Sequence, residues 1–288
     1  MTVPTVSVLI VSYNTRALLL DALGALDAQT ELELIVVDNA SADGSADAVA
    51  ARFPRVRLVR SPINLGFAAG VNRAAAHARG DVLLLLNPDA LLPSDGPSRL
   101  ARFLLDQPRA AAVGAALRYA DGRHQPAAFR FPGLLQVALD LWPIARLADS
   151  PINGRIPSHG RPVLVDHPLG ACMAIRRAAW CDVGPFDEGY FMYVEEVDWC
   201  RRACARGWQI WHHPGVVAVH HAGAATRQQA DAMFVELWRS RLRYYERFAS
   251  PRYNRLLHAL VRLGLAYQLR HASPARRQAL QRVRALVR

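Results

Sequence analysis

Leu83-Leu84-Leu85-Leu86-Asn87-Pro88-Asp89 is the stretch whose reading decides the fold. Four consecutive leucines fit a strand buried on both faces, as in a parallel sheet covered by helices. Pro88 cannot donate to a strand ladder and restricts Asn87 before it, so the strand stops there. Asp89 is left just past the carboxyl end of a central strand, where ligands collect in open α/β sheets. An aspartate in that place also serves as an ordinary turn residue, so its role depends on its surroundings.

Upstream the chain alternates between strand and helix patterns. Residues 6–14 (VSVLIVSYN) read as a buried strand with a polar end, and 15–28 as a helix with leucines at 18, 19, 23 and 26. Residues 32–37 are a second strand, closed by turn and cap chemistry in DNASADGS at 38–45. A short helix over 46–52, a strand over 56–59 and a helix over 70–78 complete the series. This spacing predicts right-handed βαβ units and a mostly parallel sheet, with Asp38 and Asp89 facing one crevice. Neither GxGxxG nor GxxxxGK[ST] occurs, so the sheet is of nucleotide-binding type without the common phosphate motifs.

Composition bounds the rest. A chain of 288 residues, 52% hydrophobic and 20% charged, is globular and long enough for one large domain with an appendage. Its net charge of +11 comes from arginine alone, since lysine is absent, and much of the excess lies late in the chain. That balance suits phosphates or an anionic lipid surface. No basic, aromatic-lined stretch marks a nucleic-acid surface. Cys172, Cys181, Cys200 and Cys204 form no CxxC pair and read as reduced thiols. Residues 1–5 show no signal-peptide pattern, and no apolar run reaches membrane-span length.

Downstream, residues 94–106 read as a helix and 113–119 as extended. Residues 121–167 are rich in proline and glycine and read as an irregular functional loop over the site. Order returns at 169–175 and in a helix over 176–183. Glu195, Glu196 and Asp198 then crowd the start of a helix over 196–206; on an exposed helix they would simply complement its dipole. Residues 216–219 form a strand, followed by His220 and His221, and 228–248 form a long helix whose aromatics suit the core. The tail, 252–288, interleaves leucines with arginines. It fits either an amphipathic helix lying on an anionic bilayer or one packed on the domain with a solvated basic face.

Taken in order, these blocks resemble the inverting, GT-A-fold glycosyltransferases of family 2, nearest the bacterial rhamnosyltransferase-like branch. The matching series is SVLIVSYN (7–14), VVDNASADGS (36–45), NLGFAAGVN (64–72), LNPD (86–89), GACM (170–173), GPFDE (184–188), FMYVEEVDWCR (191–201) and VHHAG (219–223). The resemblance implies a Rossmann-like α/β fold with a mostly parallel central sheet and a C-terminal helical extension. Residues 1–118 would form the nucleotide-sugar half and 119–250 the acceptor and catalytic half, followed by a basic tail over 251–288.

The resemblance also assigns roles. Asp38 contacts the donor's base or ribose, aided by Ser12, Asn14, Asn64, Gly66, Asn72 and Asn87. Asp89 stands at the last position of the family's DxD motif and holds Mg²⁺ or Mn²⁺, with His220 completing the metal shell. Glu195 and Glu196 occupy the family's Glu-Asp position, and one of them is the catalytic base, Glu196 by preference. The implied reaction moves a sugar, L-rhamnose in this branch, from a dTDP- or UDP-linked donor to a lipid-linked or polysaccharide acceptor. The expected location is cytoplasmic, peripheral on the inner membrane face. Two other readings stand beside it: a nucleotide-sugar or polyanion-binding protein without catalysis, and a zinc-stabilised module built from Cys200, Cys204, His212, His213, His220 and His221.

Overall fold

The computed structural model describes residues 5–223 and 226–287. Residues 1–4, where no signal peptide is expected, and Arg288 at the end of the basic tail lie outside the described residues. In chain order the first half contains β1 (Val6–Ser12), α1 (Arg16–Leu26), β2 (Leu32–Asp38), α2 (Ser45–Arg52), β3 (Arg57–Arg60), α3 (Phe67–Ala75), β4 (Val82–Leu86), β5 (Ala90–Leu91), α4 (Gly96–Asp106) and β6 (Ala110–Arg118). The second half contains β7 (His124–Gln125), β8 (Ala128–Phe129), α5 (Leu134–Leu141), β9 (Val163–Val165), β10 (His167–Pro168), β11 (Cys172–Arg176), α6 (Arg177–Val183), α7 (Glu195–Ala205), β12 (Gln209–His220), α8 (Ala230–Phe248), α9 (Pro251–His271) and α10 (Pro274–Leu286).

The main sheet runs β3-β2-β1-β4-β11-β6-β12-β5. Six of these strands share one direction, while β11 runs antiparallel between β4 and β6 and short β5 runs antiparallel to the end of β12. Residues 119–171 leave β6 and return at the same edge of the sheet, so β11 re-enters reversed, with Cys172 opposite Leu86. That edge carries Asp89.

The leucine run of β4 explains the layering. Leu83 and Leu85 join one apolar cluster with Leu9, Val11 and α3, whereas Leu84 and Leu86 join a second with Ile10, Val36, α1 and α4. All four are essentially inaccessible to solvent. Each such leucine contributes about 2 kcal/mol of burial, which is why no polar residue alternates with them.

Three regions differ from the sequence reading. The segment 121–167 is more ordered than its prolines and glycines announce: it holds four short strands and α5, whose Val137, Leu139 and Leu141 are buried. Gln136 accepts the Gly133 N–H at 2.9 Å and caps that helix. Strand β12 begins seven residues earlier than expected, at Gln209, with a register shift between His213 and Val217 where Pro214 interrupts the ladder. Finally, the tail forms two helices started by Ser250-Pro251 and Ser273-Pro274, each serine oxygen accepting a backbone N–H of its helix. Leu257, Val261 and Leu265 pack into the first cluster, and a Cβ at Gly264 would meet Leu141 at 2.6 Å. Among the described residues no helix is long and apolar enough to cross a membrane.

Candidate active site

The carboxyl ends of β1, β2 and β4 open into a cleft of about 500 Å³, whose other walls come from residues 129–155, 167–171, 191–197, 220–223 and 229–241. Asn87 and Asp89 reach it because Pro88 ends β4. Immediately after Asp89, β5 pairs with the end of β12, Ala90 opposite His220, and His221 N–H donates to the Asp89 carbonyl at 2.9 Å. Two residues distant in sequence are thereby fixed side by side: His220 Nε2 lies 3.3 Å from Asp89 Oδ1 and 3.4 Å from Asn87 Nδ2.

His220 Nδ1 donates to Gln125 Oε1 at 3.1 Å, and both residues are buried. A glutamine carbonyl oxygen only accepts, so Nδ1 donates there and Nε2 is the ring nitrogen that faces Asn87 and Asp89. A carboxylate oxygen and an imidazole nitrogen at this separation fit adjacent positions on one divalent cation, whose ligands lie about 2 Å from it. Among the described residues no cluster of three or more His, Cys, Asp or Glu is placed to hold a metal. Two protein ligands suit Mg²⁺ or Mn²⁺ completed by substrate phosphates and fall short of a structural zinc site. The zinc-module reading therefore finds no assembled site: Cys200 is buried in α7, and burial first of all drives its thiol far up.

Across the cleft, α7 starts with Glu195 and Glu196, both buried. Their helix does not present them to solvent, as an isolated amphipathic reading expects. Tyr193 and Val194, just ahead, both adopt left-handed φ, +71° and +72°. For a β-branched residue this is a genuine outlier, costing about 1–3 kcal/mol. The turn is held from two sides, by Phe67 N–H to the Phe191 carbonyl at 2.7 Å and by Ser240 Oγ to the Met192 carbonyl at 2.8 Å. One turn into the helix, fully buried Asp198 accepts from Arg202, Arg247 and Tyr190 at 2.7, 2.9 and 3.1 Å.

Burial pushes Glu196 up to about 7, although it accepts backbone N–H groups of Val197 and Gly170. Glu195 is driven well above the carboxylate range by burial first and by its neighbour Glu196 second. Burial thus favours the protonated form of both carboxyls and holds the proton more firmly on Glu195, which leaves Glu196 as the one that ionises nearer neutral pH. Each has one buried oxygen, Oε2, without a partner among the described residues.

The family model for glycosyl transferase family 2 matches residues 7–180. An N-acetylglucosaminyl-diphospho-decaprenol L-rhamnosyltransferase from Mycobacterium tuberculosis is 31% identical over 237 residues, 76% of each chain. The chain belongs to glycosyltransferase family 2. Rhamnosyltransferase WbbL of Escherichia coli is 26% identical over 193 residues, 63% of this chain and 70% of that one. In fold, the protein resembles mannosyltransferase PcManGT from Pyrobaculum calidifontis, solved with GDP-Man and Mn²⁺, at a TM-score of 0.59 and 22% identity over 99% of this chain and 81% of that one. Staphylococcus aureus TarS 1–349 gives 0.55 and 17%, covering 98% and 90%. The fold is thus GT-A, and the protein is a glycosyltransferase.

In this family 2 chain, Asn64, Asn87, Asp89, Glu195, Glu196 and His220 line the cleft. Ser12, Asn14, Gly66 and Asn72, four other expected donor contacts, do not line it. Ser12 Oγ is buried 3.0 Å from Thr15 Oγ1, and Asn14 Oδ1 accepts the Ala42 N–H at 2.7 Å. Gly66 sits at φ +82° where a Cβ would lie 2.2 Å from the Phe191 carbonyl. Asn72 brackets the 186–188 turn, bonding the Phe186 carbonyl and N–H at 2.9 and 3.0 Å and Glu188 at 3.0 Å. Asp38, likewise outside the lining, accepts the Ser41 N–H at 3.2 Å with one oxygen and buries the other without a partner among the described residues.

Three contributors escaped the sequence reading. Asn39 lines the cleft and ties down the 64–66 loop through Asn64, Gly66 and Leu65 at 2.9–3.0 Å. Its place next to Asp38 was the available signal. Gly170 opens the GACM block, while Gln125 carried no signal.

Proposed function

We propose that this enzyme is a metal-dependent inverting glycosyltransferase that moves L-rhamnose from a dTDP-linked donor onto a diphosphate-linked lipid acceptor. The observation that carries the mechanism is Glu196: buried, ionisable near pH 7, anchored by Gly170 N–H, and in one cleft with Asp89 and His220. Its free Oε2 takes the proton of the acceptor hydroxyl as that oxygen attacks the anomeric carbon. The bond to the nucleoside diphosphate breaks with its electron pair on the leaving oxygen, giving inversion in a single displacement. Asp89 and His220 Nε2 would hold the cation, which neutralises charge on the departing diphosphate. Asn64 and Asn87 offer amide groups to the donor from the β-strand side.

Rhamnose as donor sugar and the lipid-linked acceptor rest on the names of the relatives. A peripheral place at an anionic bilayer is supported by the tail, where nine arginines and no carboxylate fall in residues 251–288. On the outward side of α9, Leu256, Leu263 and Tyr267 stay exposed between Arg255, Arg262 and Arg270.

A nucleotide-sugar panel with and without Mg²⁺ or Mn²⁺, scored for nucleoside diphosphate release with an N-acetylglucosaminyl-diphospho-prenol acceptor, tests the reading. Metal-dependent release from dTDP-rhamnose supports it. No release and no metal-dependent thermal shift with any donor overturns it.

A further inference from the structure

The cleft has a second charged wall that the reaction described above does not use. Strands β8 and β10 form a separate two-stranded sheet, and Phe129 bridges to Arg155. The Arg155 guanidinium lies 4.6 Å over the Phe129 ring, whose other contact is the stacked His167 ring at 5.2 Å. Three residues after His167 comes Gly170, which abuts the Glu196 side chain: a Cβ there would lie 3.6 Å from Glu196 Cγ. The wall is thus tied by rings and backbone to the catalytic carboxylate, on the acceptor side of the cleft.

Its charge is unbalanced. Arg130, Arg155, Arg241 and Asp140 all line the cleft there. Arg241 is paired with Asp140 at 2.8 Å, while neither Arg130 nor Arg155 has a carboxylate ion pair among the described residues. Arg130 and Arg155 therefore face the cleft with no carboxylate among the described residues paired to either guanidinium. Half-buried Arg155 also gives up hydration, so its pKa is lowered by burial despite Asp149 and Asp140 nearby. A guanidinium desolvated in a cleft is stabilised by a ligand that supplies anionic oxygens in fork geometry.

We infer that Arg130 and Arg155 form a diphosphate subsite that grips the diphosphate linking the acceptor's sugar to its lipid. A diphosphate diester carries two negative charges, one for each of these unpaired guanidiniums. The inference rests on the proposed lipid-linked acceptor, and it assigns residues to the part of that substrate that does not react. The donor also carries a diphosphate, so the test separates the two sources.

Equilibrium titration of a short-chain prenyl-diphospho-N-acetylglucosamine, without donor, is compared with octyl N-acetylglucosaminide, which has no phosphate, and with dTDP plus Mn²⁺. Wild type should bind the diphosphate probe more tightly than the octyl glycoside. Arg155→Gln and Arg130→Gln should each weaken it by about tenfold, the loss of one charge-assisted contact. Arg155→Lys should recover part of the loss, and affinities for the octyl glycoside and for dTDP should not move. Equal binding of both acceptor probes by wild type overturns the inference. So does parallel weakening of the octyl glycoside, which marks a structural role, or weakening of dTDP, which marks the donor's site. Metal-dependent dTDP binding that survives in every variant shows the transferase reading standing even if the subsite fails.

Discussion

Replacing Glu196 by Gln should make the protein more stable and catalytically inert at the same time. In the folded chain burial raises this carboxyl from 4.5 to about 7, whereas the unfolded chain ionises it normally. Between those two values the folded state holds a proton that the unfolded state has lost. The associated stability is fully present below pH 4.5 and disappears as pH rises through 7. Each tenfold change in proton affinity is worth 1.36 kcal/mol, so the native protein forgoes about 3 kcal/mol above pH 7. The Glu196→Gln side chain keeps the shape and can still accept the Gly170 and Val197 N–H groups, but it has no charge to bury. Melting in EDTA should therefore show Glu196→Gln about 5 °C above wild type at pH 8 and level with it near pH 4.5. Transfer should fall by about 10²–10⁴. Glu195→Gln, which replaces the carboxyl that burial and Glu196 push further toward its protonated form, should retain most of the activity. Equal melting at pH 8, or loss of transfer in Glu195→Gln but not in Glu196→Gln, would refute the assignment of the base.

In wild type, kcat/KM should rise with pH through about 7 and then level, as Glu196 loses its proton; a profile flat from pH 5.5 to 8.5 contradicts a base at that position. Asp89→Asn should abolish the Mn²⁺-dependent increment in dTDP affinity, measured by titration with and without EDTA, while the pH dependence of melting stays as in wild type. Gly66→Ala sets a Cβ 2.2 Å from the Phe191 carbonyl at φ +82°. It should cost about 3 kcal/mol or more in urea unfolding, and tolerance would show that the loop shifts freely. Asp198→Asn removes the carboxylate from two arginines at a fully buried position, and urea unfolding should register a loss of about 3 kcal/mol.

The sheet was legible because its evidence is local. A run such as Leu83-Leu84-Leu85-Leu86 has no polar alternation only if both faces are covered, and Pro88 ends it where Asp89 is needed. Helix α5 was hidden because eight residues between Gly133 and Pro143 give too few turns for a period to stand out from the surrounding breakers. The acidic cluster shows the limit of local reading most clearly. Glu195, Glu196 and Asp198 at a helix start look like dipole complements, and only the packing of α7 against α6, β10 and β12, with Arg247 of α8 on Asp198, decides that they are buried. Likewise Asn72 and Gly66 stand in blocks shared with the family, yet a block says that a position is constrained and not by what. Here both constraints are structural: one residue brackets a turn, and the other makes room for a backbone.

That division points to how the site is held together. Helix α8 reads as a core helix, and Trp238, Tyr244 and Tyr245 do enter the core. On another face of the same helix, Ser240, Arg243 and Arg247 recur at intervals of three and four and therefore project together. Ser240 holds the Met192 carbonyl, Arg243 and Arg247 hold Asp187, and Arg247 also reaches Asp198. These contacts flank the strained turn at Tyr193 and Val194, with Asp187 and Met192 before it and Asp198 after it in α7. Two consecutive left-handed residues persist only where their surroundings over-determine them, and α8 supplies that determination from one side while Phe67, next to Gly66, supplies it from the other. The carboxylate proposed to take the proton is thus positioned jointly by residues 66–67 and by a helix that lines only one margin of the cleft.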